Sequence, residues 1–374
     1  MCFNTGKAYD RDVKELYMDI SFVIPMYNAE KYIEETLNSI NNSVSKDVVY
    51  EIIVIDDGSS DKSVDIVLKH DEVKLLRQVH QGPSEARNKG VDVACGKWIC
   101  FVDADDILAR DFDKIFKLLL KSEYDVIYFK ARFFKNHIPL VEPYNENLHK
   151  TVELSDKQIE KVKNEYLVRH QKVDGLRYSF ETPWAKIYKA ETIRKNNIRF
   201  PIGLKFNEDS IFNYYFLGKV TKCACCDFPL YYAREVKSSL THAYMENIVP
   251  EITEVSKAWK NALGEEYPNY YTPAYGLMVY FYLHNYLDSY LFHYNNSMKI
   301  KDKKQKFRET FAMPQLLEAI EKCKIEDVGY LDKKNIVNLK ENKIDTVFNR
   351  IVWNRTIHAM KQRAKQVLAS IGSK

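Results

Sequence analysis

Short apolar runs alternate with segments of helical periodicity over the first hundred residues. Four such runs predict strands, at residues 20–25, 50–55, 73–77 and 98–102. The segments between them place apolar side chains three or four residues apart and predict helices, at residues 29–40, 63–70 and 83–94. Repeated strand–helix units indicate a parallel sheet with helices on both faces.

The pattern changes along the rest of the chain. Residues 111–240 are mixed, with a strand-like run at 124–129 and a charged helical segment at 155–170. After residue 241 the strand signals fade and the remaining residues predict mostly helices. The chain is therefore predicted to be an α/β protein, with a first domain over residues 1–240 and a mostly α-helical region over 241–374.

Composition narrows the class of protein. The 374 residues are 45% hydrophobic and 29% charged, which is typical of a soluble globular protein with more than one small core. The formal net charge of +4 is small for this length, so no nucleic-acid partner is expected. The seven cysteines are odd in number and irregularly spaced, which favours structural thiols in a reducing, cytoplasmic compartment.

No membrane-inserted or exported segment is expected. Residues 1–19 are polar and charged, unlike a secretory signal. The longest uncharged stretch, residues 267–287, is too polar and too rich in tyrosine and proline for a convincing membrane span, so it predicts a buried helix.

Carboxylates cluster where two of the predicted strands end. Asp103, Asp105 and Asp106 follow the apolar run 98–102, and another acidic turn, residues 56–61, follows the run 50–55. Ligands of parallel sheets bind at the carboxyl ends of strands. Close carboxylates repel one another, and a hard divalent cation such as Mg²⁺ or Mn²⁺ would offset that repulsion. A solvated turn or a helix cap is the alternative.

Four segments in this chain occur in a familiar order and spacing. They are SFVIPMYNAEKYI (residues 21–33), DDGSSD (56–61), GPSEARNKG (82–90) and DADD (103–106). Together they closely resemble the inverting glycosyltransferases of family 2, which have the GT-A fold, a Rossmann-like domain that binds nucleotide-diphospho-sugars. The resemblance is dense over residues 20–110 and thinner to about residue 240. It implies a nucleotide-sugar-binding half at 20–110 and an acceptor half at 111–240.

The resemblance implies how a UDP-sugar donor would be bound. The loop from Pro25 to Asn28 would lie against the base with the Tyr27 ring, and Asp57 would accept a hydrogen bond from uracil. Plain packing is the alternative for Tyr27. Arg87 would lie near the nucleotide, or would simply pair with a carboxylate.

The acidic turn is implied to hold the rest of the donor. Asp103 would hold the ribose, and Asp105 would bind Mn²⁺ or Mg²⁺ with support from Asp106. His242 is a further candidate for the metal or the diphosphate, although a surface histidine is equally compatible with the sequence.

Inversion also requires a general base facing the donor sugar. The segment at residues 206–212 matches the part of the family that carries this base, and Asp209 is the predicted base. The neighbouring Glu208 is the residue most easily confused with it, and an N-cap for the helix at 210–217 is the alternative role for Asp209. Trp184 lies in a segment that resembles the family's Trp-x-Lys motif, where it would stack on an acceptor sugar or be buried.

The last segment has a basic amphipathic pattern. Residues 346–371 space apolar side chains at mostly three or four residues, with cations between them and Trp353 among them. This pattern indicates a helix lying on a membrane surface, which suits an enzyme at the inner face of the cell membrane. A helix docked on its own domain and a contact within a homo-oligomer are the alternatives.

The predicted function is transfer of a single hexose or N-acetylhexosamine from a UDP-sugar to a hydroxyl of a glycan, of the lipid-linked kind that bacteria use for surface polysaccharides. Processive members carry membrane spans and a Gln-x-x-Arg-Trp motif, which this sequence lacks. A non-catalytic nucleotide-sugar-binding scaffold is the alternative. A dinucleotide-dependent oxidoreductase is disfavoured, because no Gly-x-Gly-x-x-Gly follows the first strand.

Overall fold

The structure is a computed structural model, and its description covers most of the chain. The described residues are 18–120, 123–135, 144–145, 149–167, 178–236, 244–266, 271–325 and 333–372. They form two compact units. Those up to residue 166 and those from 178 to 236 belong to the first, and those from 244 to 372 belong to the second.

The first unit is built on a nine-stranded mixed sheet. Its strands are β1 (Ile20–Met26), β2 (Tyr50–Asp56), β3 (Val73–Arg77), β4 (Trp98–Phe101), β5 (Ile107–Leu108), β6 (Val126–Phe134), β7 (Thr151–Glu153), β8 (Lys186–Lys189) and β9 (Cys223–Arg234). The spatial order is β3-β2-β1-β4-β8-β6-β9-β5, and β7 pairs with β9. The first four strands are parallel, as predicted, whereas β8 runs antiparallel to both β4 and β6.

Helices alternate with these strands along the chain. They are α1 (Ile33–Ser43), α2 (Ser63–Val67), α3 (Pro83–Val93), α4 (Phe112–Leu120), α5 (Asp156–Leu167), α6 (Ala190–Lys195) and α7 (Glu208–Leu217). Helix α1 begins at Ile33 rather than at residue 29. Asn28 has a left-handed backbone (φ 49°) and accepts a hydrogen bond from the amide of Ser60, so the chain first makes a turn.

Close packing fixes α3 against β1. A Cβ on Gly90, within α3, would lie 2.2 Å from a methyl group of Val23. A Cβ on Gly96, in the turn before β4, would lie 2.5 Å from the backbone nitrogen of Ser21. Only glycine allows these approaches, since real Cβ atoms do not come so close to other heavy atoms. The helix that carries Arg87 is thereby held close beside the sheet.

The second unit is helical in its described residues. Its α-helices are α8 (Ile248–Glu266), α9 (Tyr271–Leu283), α10 (Ile300–Phe311), α11 (Pro314–Lys322), α12 (Lys333–Lys340) and α13 (Ile344–Gly372), and a π-helical turn covers Leu287–Leu291. Tyr282 and Tyr286 are fully buried, as predicted for the tyrosine-rich stretch. Among the helices described here, none is long and apolar enough to cross a membrane.

Candidate active site

The end of β2 places Asp57 in a dense hydrogen-bond network. Its buried carboxylate accepts hydrogen bonds from the side chain of Gln78 and from the amides of Gln81 and Gly82, each at 2.8 Å. Nδ1 of His80 lies 2.9 Å from the same carboxylate. These contacts fold residues 78–82 back onto the end of β2. The carboxylate oxygens of Asp57 therefore hold the loop at residues 78–82 in this structure. The same oxygens are predicted to accept a hydrogen bond from uracil.

Tyr27 lies at the surface beside that loop. Its ring is 49% exposed and packs against the ring of His80 with centroids 4.3 Å apart. Asn28, the next residue, is fixed by its hydrogen bonds to Ser59 and Ser60, and Pro25 is half-buried in β1. The loop from Pro25 to Asn28 thus presents an accessible aromatic face at the carboxyl end of β1.

The acidic loop, Asp103 to Asp106, connects β4 to β5, and its carboxylates have different surroundings. Asp106 is buried, and its two oxygens accept hydrogen bonds from the hydroxyl of Tyr231 and the amide of Arg234, both at 2.7 Å. Asp103 keeps 29% of its side chain exposed. Burial, followed by the charge of Asp103, raises the pKa of Asp105 to about 6.

This donor set suits a cation that is shared with a substrate. In the described part of the chain, no three His, Cys, Asp or Glu side chains converge on a metal-sized site. Mg²⁺ is commonly bound by one or two carboxylates together with substrate phosphates and water. Burial raises the pKa of Asp105, and a bound cation would favour its ionised form. Both oxygens of Asp106 hold protein groups, which favours support of the loop over coordination, and His242 lies outside the described residues.

Arg87 joins the acidic loop to a distant helix. Its buried guanidinium donates to Asp103 and to Asp209, each at 3.0 Å, and lies 3.9 Å from Glu208. These carboxylates raise the pKa of Arg87 despite its burial. The ion pairing with nearby carboxylates that the sequence allows for Arg87 is therefore present. It brings the predicted general base next to the loop predicted to bind the donor.

Asp209 lies in the first turn of α7 and does not cap it. The N-cap is Asn207, which has a left-handed backbone (φ 70°). Burial raises the pKa of Asp209, the charges of Glu208 and Asp103 add to the rise, and Arg87 opposes it. A carboxylate whose pKa lies closer to neutrality is better suited to accept a proton in catalysis.

Trp184 and Lys186 lie where β8 begins. The indole of Trp184 stacks on the ring of Tyr231, with centroids 5.0 Å apart and planes 8° from parallel. Lys186 is fully buried, donates to the carbonyl oxygens of Ser179 and Thr182, and has its pKa lowered to about 7 by burial. Trp184 is therefore packed on one face by a residue that also contacts the acidic loop.

Three residues that hold this site were missed by the sequence analysis. Asn213 donates to the carbonyl oxygens of Glu181 and Asp209, while Tyr231 and Arg234 hydrogen-bond the acidic loop. None belongs to a motif, and all of the partners except Asp209, four residues before Asn213, are distant in sequence. Pairing between β5 and β9 brings the last two to the loop, and that pairing leaves no local signal.

Comparison with known proteins agrees with this architecture. The sequence profile of glycosyl transferase family 2 matches residues 21–212, about half of the chain. The uncharacterized glycosyltransferase EpsJ of Bacillus subtilis (strain 168) is 28% identical over 236 residues, which cover 59% of this chain and 62% of EpsJ. A poly(ribitol-phosphate) beta-glucosyltransferase of Bacillus spizizenii (strain ATCC 23059 / NRRL B-14472 / W23) is 29% identical over 243 residues, covering 63% of this chain and 35% of that protein.

A solved structure extends the likeness to the fold. The crystal structure of S. aureus TarS 1-349 in complex with UDP-GlcNAc is 20% identical, with a TM-score of 0.60, and the match covers 88% of this chain and 90% of that one. The matched region is less than two thirds of the length of the two relatives named above. The predicted GT-A fold is confirmed, and the chain belongs to glycosyl transferase family 2.

Proposed function

We propose that this chain transfers a single hexose or N-acetylhexosamine from a UDP-sugar to a hydroxyl of a glycan acceptor, with inversion at the anomeric carbon. One observation carries the proposal: Arg87 holds Asp209 and Asp103 at 3.0 Å each. A proton acceptor thus lies beside the loop that would bind the donor, as in-line attack by a hydroxyl requires.

The donor is assigned to residues 20–110. Tyr27 would stack on the base, Pro25 and Asn28 would shape its loop, and Asp57 would receive uracil. Supporting this, S. aureus TarS, which shares the fold, is described in complexes with UDP-GlcNAc and with UDP. Asp57 would have to exchange its contact with His80 for the base, since its oxygens are engaged in the present structure.

In the reaction, Asp103 would hold the ribose and Asp105 would hold Mn²⁺ or Mg²⁺. Such a cation, when bound, supplies Lewis-acid stabilisation to the departing diphosphate. Asp209 would take the proton from the attacking hydroxyl. Arg87 keeps the carboxylate of Asp209 aimed at the donor site. Asp106 would support the acidic loop through its hydrogen bonds to Tyr231 and Arg234.

The acceptor half is assigned to residues 111–240. The exposed face of the half-buried Trp184 would pack against the acceptor sugar, and Glu208 would border that side of the site. Two relatives named as poly(ribitol-phosphate) transferases, from Bacillus spizizenii and Staphylococcus aureus, support a polymeric or carrier-linked acceptor. Residues 241–374 would form the separate helical region.

We further propose that α13 makes a peripheral contact with anionic membrane at the cytoplasmic face. Val347 and Phe348 are buried, whereas Trp353 is 65% exposed and Met360 is 64% exposed. No acidic residue occurs after Asp345 in the sequence. Exposed apolar side chains among cations are typical of helices that lie on anionic lipid.

Vesicle sedimentation tests the membrane contact. Residues Lys361 and Arg363 are exposed cations of α13. Their joint replacement by glutamate is expected to abolish co-sedimentation with vesicles containing phosphatidylglycerol, while leaving pure phosphatidylcholine vesicles unbound as before. Equal binding of the wild type to both vesicle types would refute an electrostatic contact.

The transferase proposal is tested by UDP release from a panel of UDP-sugars, with Mn²⁺ or with EDTA and without added acceptor. Slow, metal-dependent hydrolysis of one sugar is expected, and it would name the donor. If no donor is hydrolysed and UDP with Mn²⁺ leaves the melting temperature unchanged, the proposal fails and a scaffold role replaces it.

A further inference from the structure

Two residues at the end of β9 hold the acidic loop through hydrogen bonds. Tyr231 and Arg234, here called the β9 clamp, make four hydrogen bonds to Asp103, Asp105 and Asp106. They lie more than 120 residues further along the chain. The pairing of β5 with β9 places them there, since Ile107 and Leu108 lie directly opposite Tyr232 and Tyr231.

Tyr231 connects the two ends of the loop through one oxygen atom. Its hydroxyl accepts a hydrogen bond from the amide of Asp103 at 3.0 Å and donates one to the carboxylate of Asp106 at 2.7 Å. The side chain is fully buried. Buried networks of this kind rigidify the groups they join when every member is satisfied. The distance between the start and the end of the loop is thereby fixed.

Arg234 holds the middle of the loop. Its amide donates to the Asp106 carboxylate at 2.7 Å, and its Nε donates to the carbonyl oxygen of Asp105 at 2.9 Å. The guanidinium forms an ion pair with Glu35 and lies over the rings of Tyr32 and Phe134, 4.8 Å and 4.5 Å from their centroids. The ion pair and the two ring contacts together fix the orientation of the guanidinium and therefore of Nε.

These contacts leave the carboxylate of Asp105 as the group that the clamp presents. Both oxygens of Asp106 are consumed by Tyr231 and Arg234, and the backbone on either side of the Asp105 side chain is fixed. Thr36 of α1 also donates to the carbonyl oxygen of Ala104 at 3.0 Å. The loop is thus a pre-formed support for the carboxylate of Asp105.

We propose that Tyr231 and Arg234 are positioning residues that set the affinity of the Asp105 carboxylate for a divalent cation. The inference rests on the proposed function for the identity of the nucleotide. Groups that orient metal ligands without touching the metal typically alter metal affinity by about 10- to 100-fold when they are removed. Neither residue would contact the donor sugar.

The test compares Tyr231→Phe and Arg234→Lys with the wild type in the full chain. Tyr231→Phe removes one oxygen and keeps the ring that packs on Trp184, and Tyr232→Phe makes the same change at the next buried residue of β9 as the control. Two titrations with Mn²⁺ are recorded. The first follows the free-ion signal by electron paramagnetic resonance without nucleotide, and the second follows the melting temperature with UDP present.

Both clamp variants are expected to raise the half-maximal Mn²⁺ concentration about tenfold or more. Melting without ligand should fall for Tyr231→Phe, because the amide of Asp103 and the buried carboxylate of Asp106 each lose a hydrogen bond. Tyr232→Phe should match the wild type in both titrations. An unchanged Mn²⁺ midpoint in Tyr231→Phe overturns the inference. This variant decides the matter if Arg234→Lys fails to fold.

The two titrations separate this inference from the proposed function. If the wild type binds Mn²⁺ but UDP has no effect on melting, the nucleotide assignment fails and the resonance titration still decides the clamp. If the wild type binds no Mn²⁺ either with or without UDP, the inference about the β9 clamp is overturned.

Discussion

Replacement of Asp209 by asparagine separates its proposed role as a general base from its contact with Arg87. The amide of asparagine keeps the size of the side chain and an oxygen that can accept the hydrogen bond from Arg87, now 3.0 Å long. It cannot take a proton from a hydroxyl or from water. The variant is therefore expected to bind UDP normally and to lose turnover.

The expected loss follows from the general contribution of such a base. Positioned general bases contribute about 10²- to 10⁴-fold to rate. Because each tenfold change corresponds to 1.36 kcal/mol, the barrier should rise by about 2.7 to 5.4 kcal/mol. The effect should appear in kcat for the hydrolysed UDP-sugar. The UDP-induced rise in melting temperature should remain.

Asp209→Asn is expected to lower turnover but not to lower the stability of the folded protein. Burial raises the pKa of Asp209 in the folded state. As pH rises past the ordinary carboxyl value, the unfolded chain ionises first, and folding loses stability until Asp209 ionises as well. At neutral pH Asp209→Asn should therefore melt at the same temperature as the wild type or higher.

Glu208→Gln is the matched control, because this neighbour lies 3.9 Å from the same arginine nitrogen. It should retain most of the turnover. Near-normal UDP release by Asp209→Asn would refute its assignment as base. A greater loss in Glu208→Gln than in Asp209→Asn would move that role to Glu208.

Three further outcomes are expected. Arg87→Met should lower the free energy of unfolding by about 3–5 kcal/mol in urea titrations, since it removes the buried cation that Asp103 and Asp209, both partly buried, share. A loss under 1 kcal/mol would contradict a buried ion-pair role. UDP release should increase with pH along a limb displaced above the ordinary carboxyl range, because the raised pKa of Asp209 keeps the base protonated at acid pH; the limb should vanish in Asp209→Asn. Gly96→Ala should lower the melting temperature because its Cβ would lie 2.5 Å from a backbone nitrogen, whereas Gly264→Ala, in an open position of α8, should match or exceed the wild type.

The local parts of the fold and the site were predictable from the sequence. Runs of apolar residues marked β1, β2 and β4, and the acidic turns after two of them fall at the strand ends where a parallel sheet binds ligands. Strand β8 was not predicted. Its four residues, Lys186 to Lys189, begin and end with lysine, and they form a strand because they pair with β4 and β6. The buried ammonium group of Lys186 donates to backbone carbonyl oxygens.

The contacts that assemble the candidate site could not be predicted from local sequence patterns. Arg87 and Asp209 are separated by 122 residues, and the hydrogen bond between them exists because the fold brings α3 and α7 together. The β9 clamp depends similarly on strand pairing. Resemblance supplied the positions of Arg87 and Asp209, but their distance from each other is a property of the folded chain.

Arg87 also limits how basic Asp209 can be. The arginine favours the ionised form of Asp209, whereas burial and the charges of Glu208 and Asp103 favour the protonated form. Burial has the larger effect, so the pKa is raised although the ion pair is only 3.0 Å long. Arg87 is also shared, because its guanidinium donates to Asp103 at 3.0 Å as well. An arginine paired with Asp209 alone would stabilise the carboxylate more strongly and make it a weaker base.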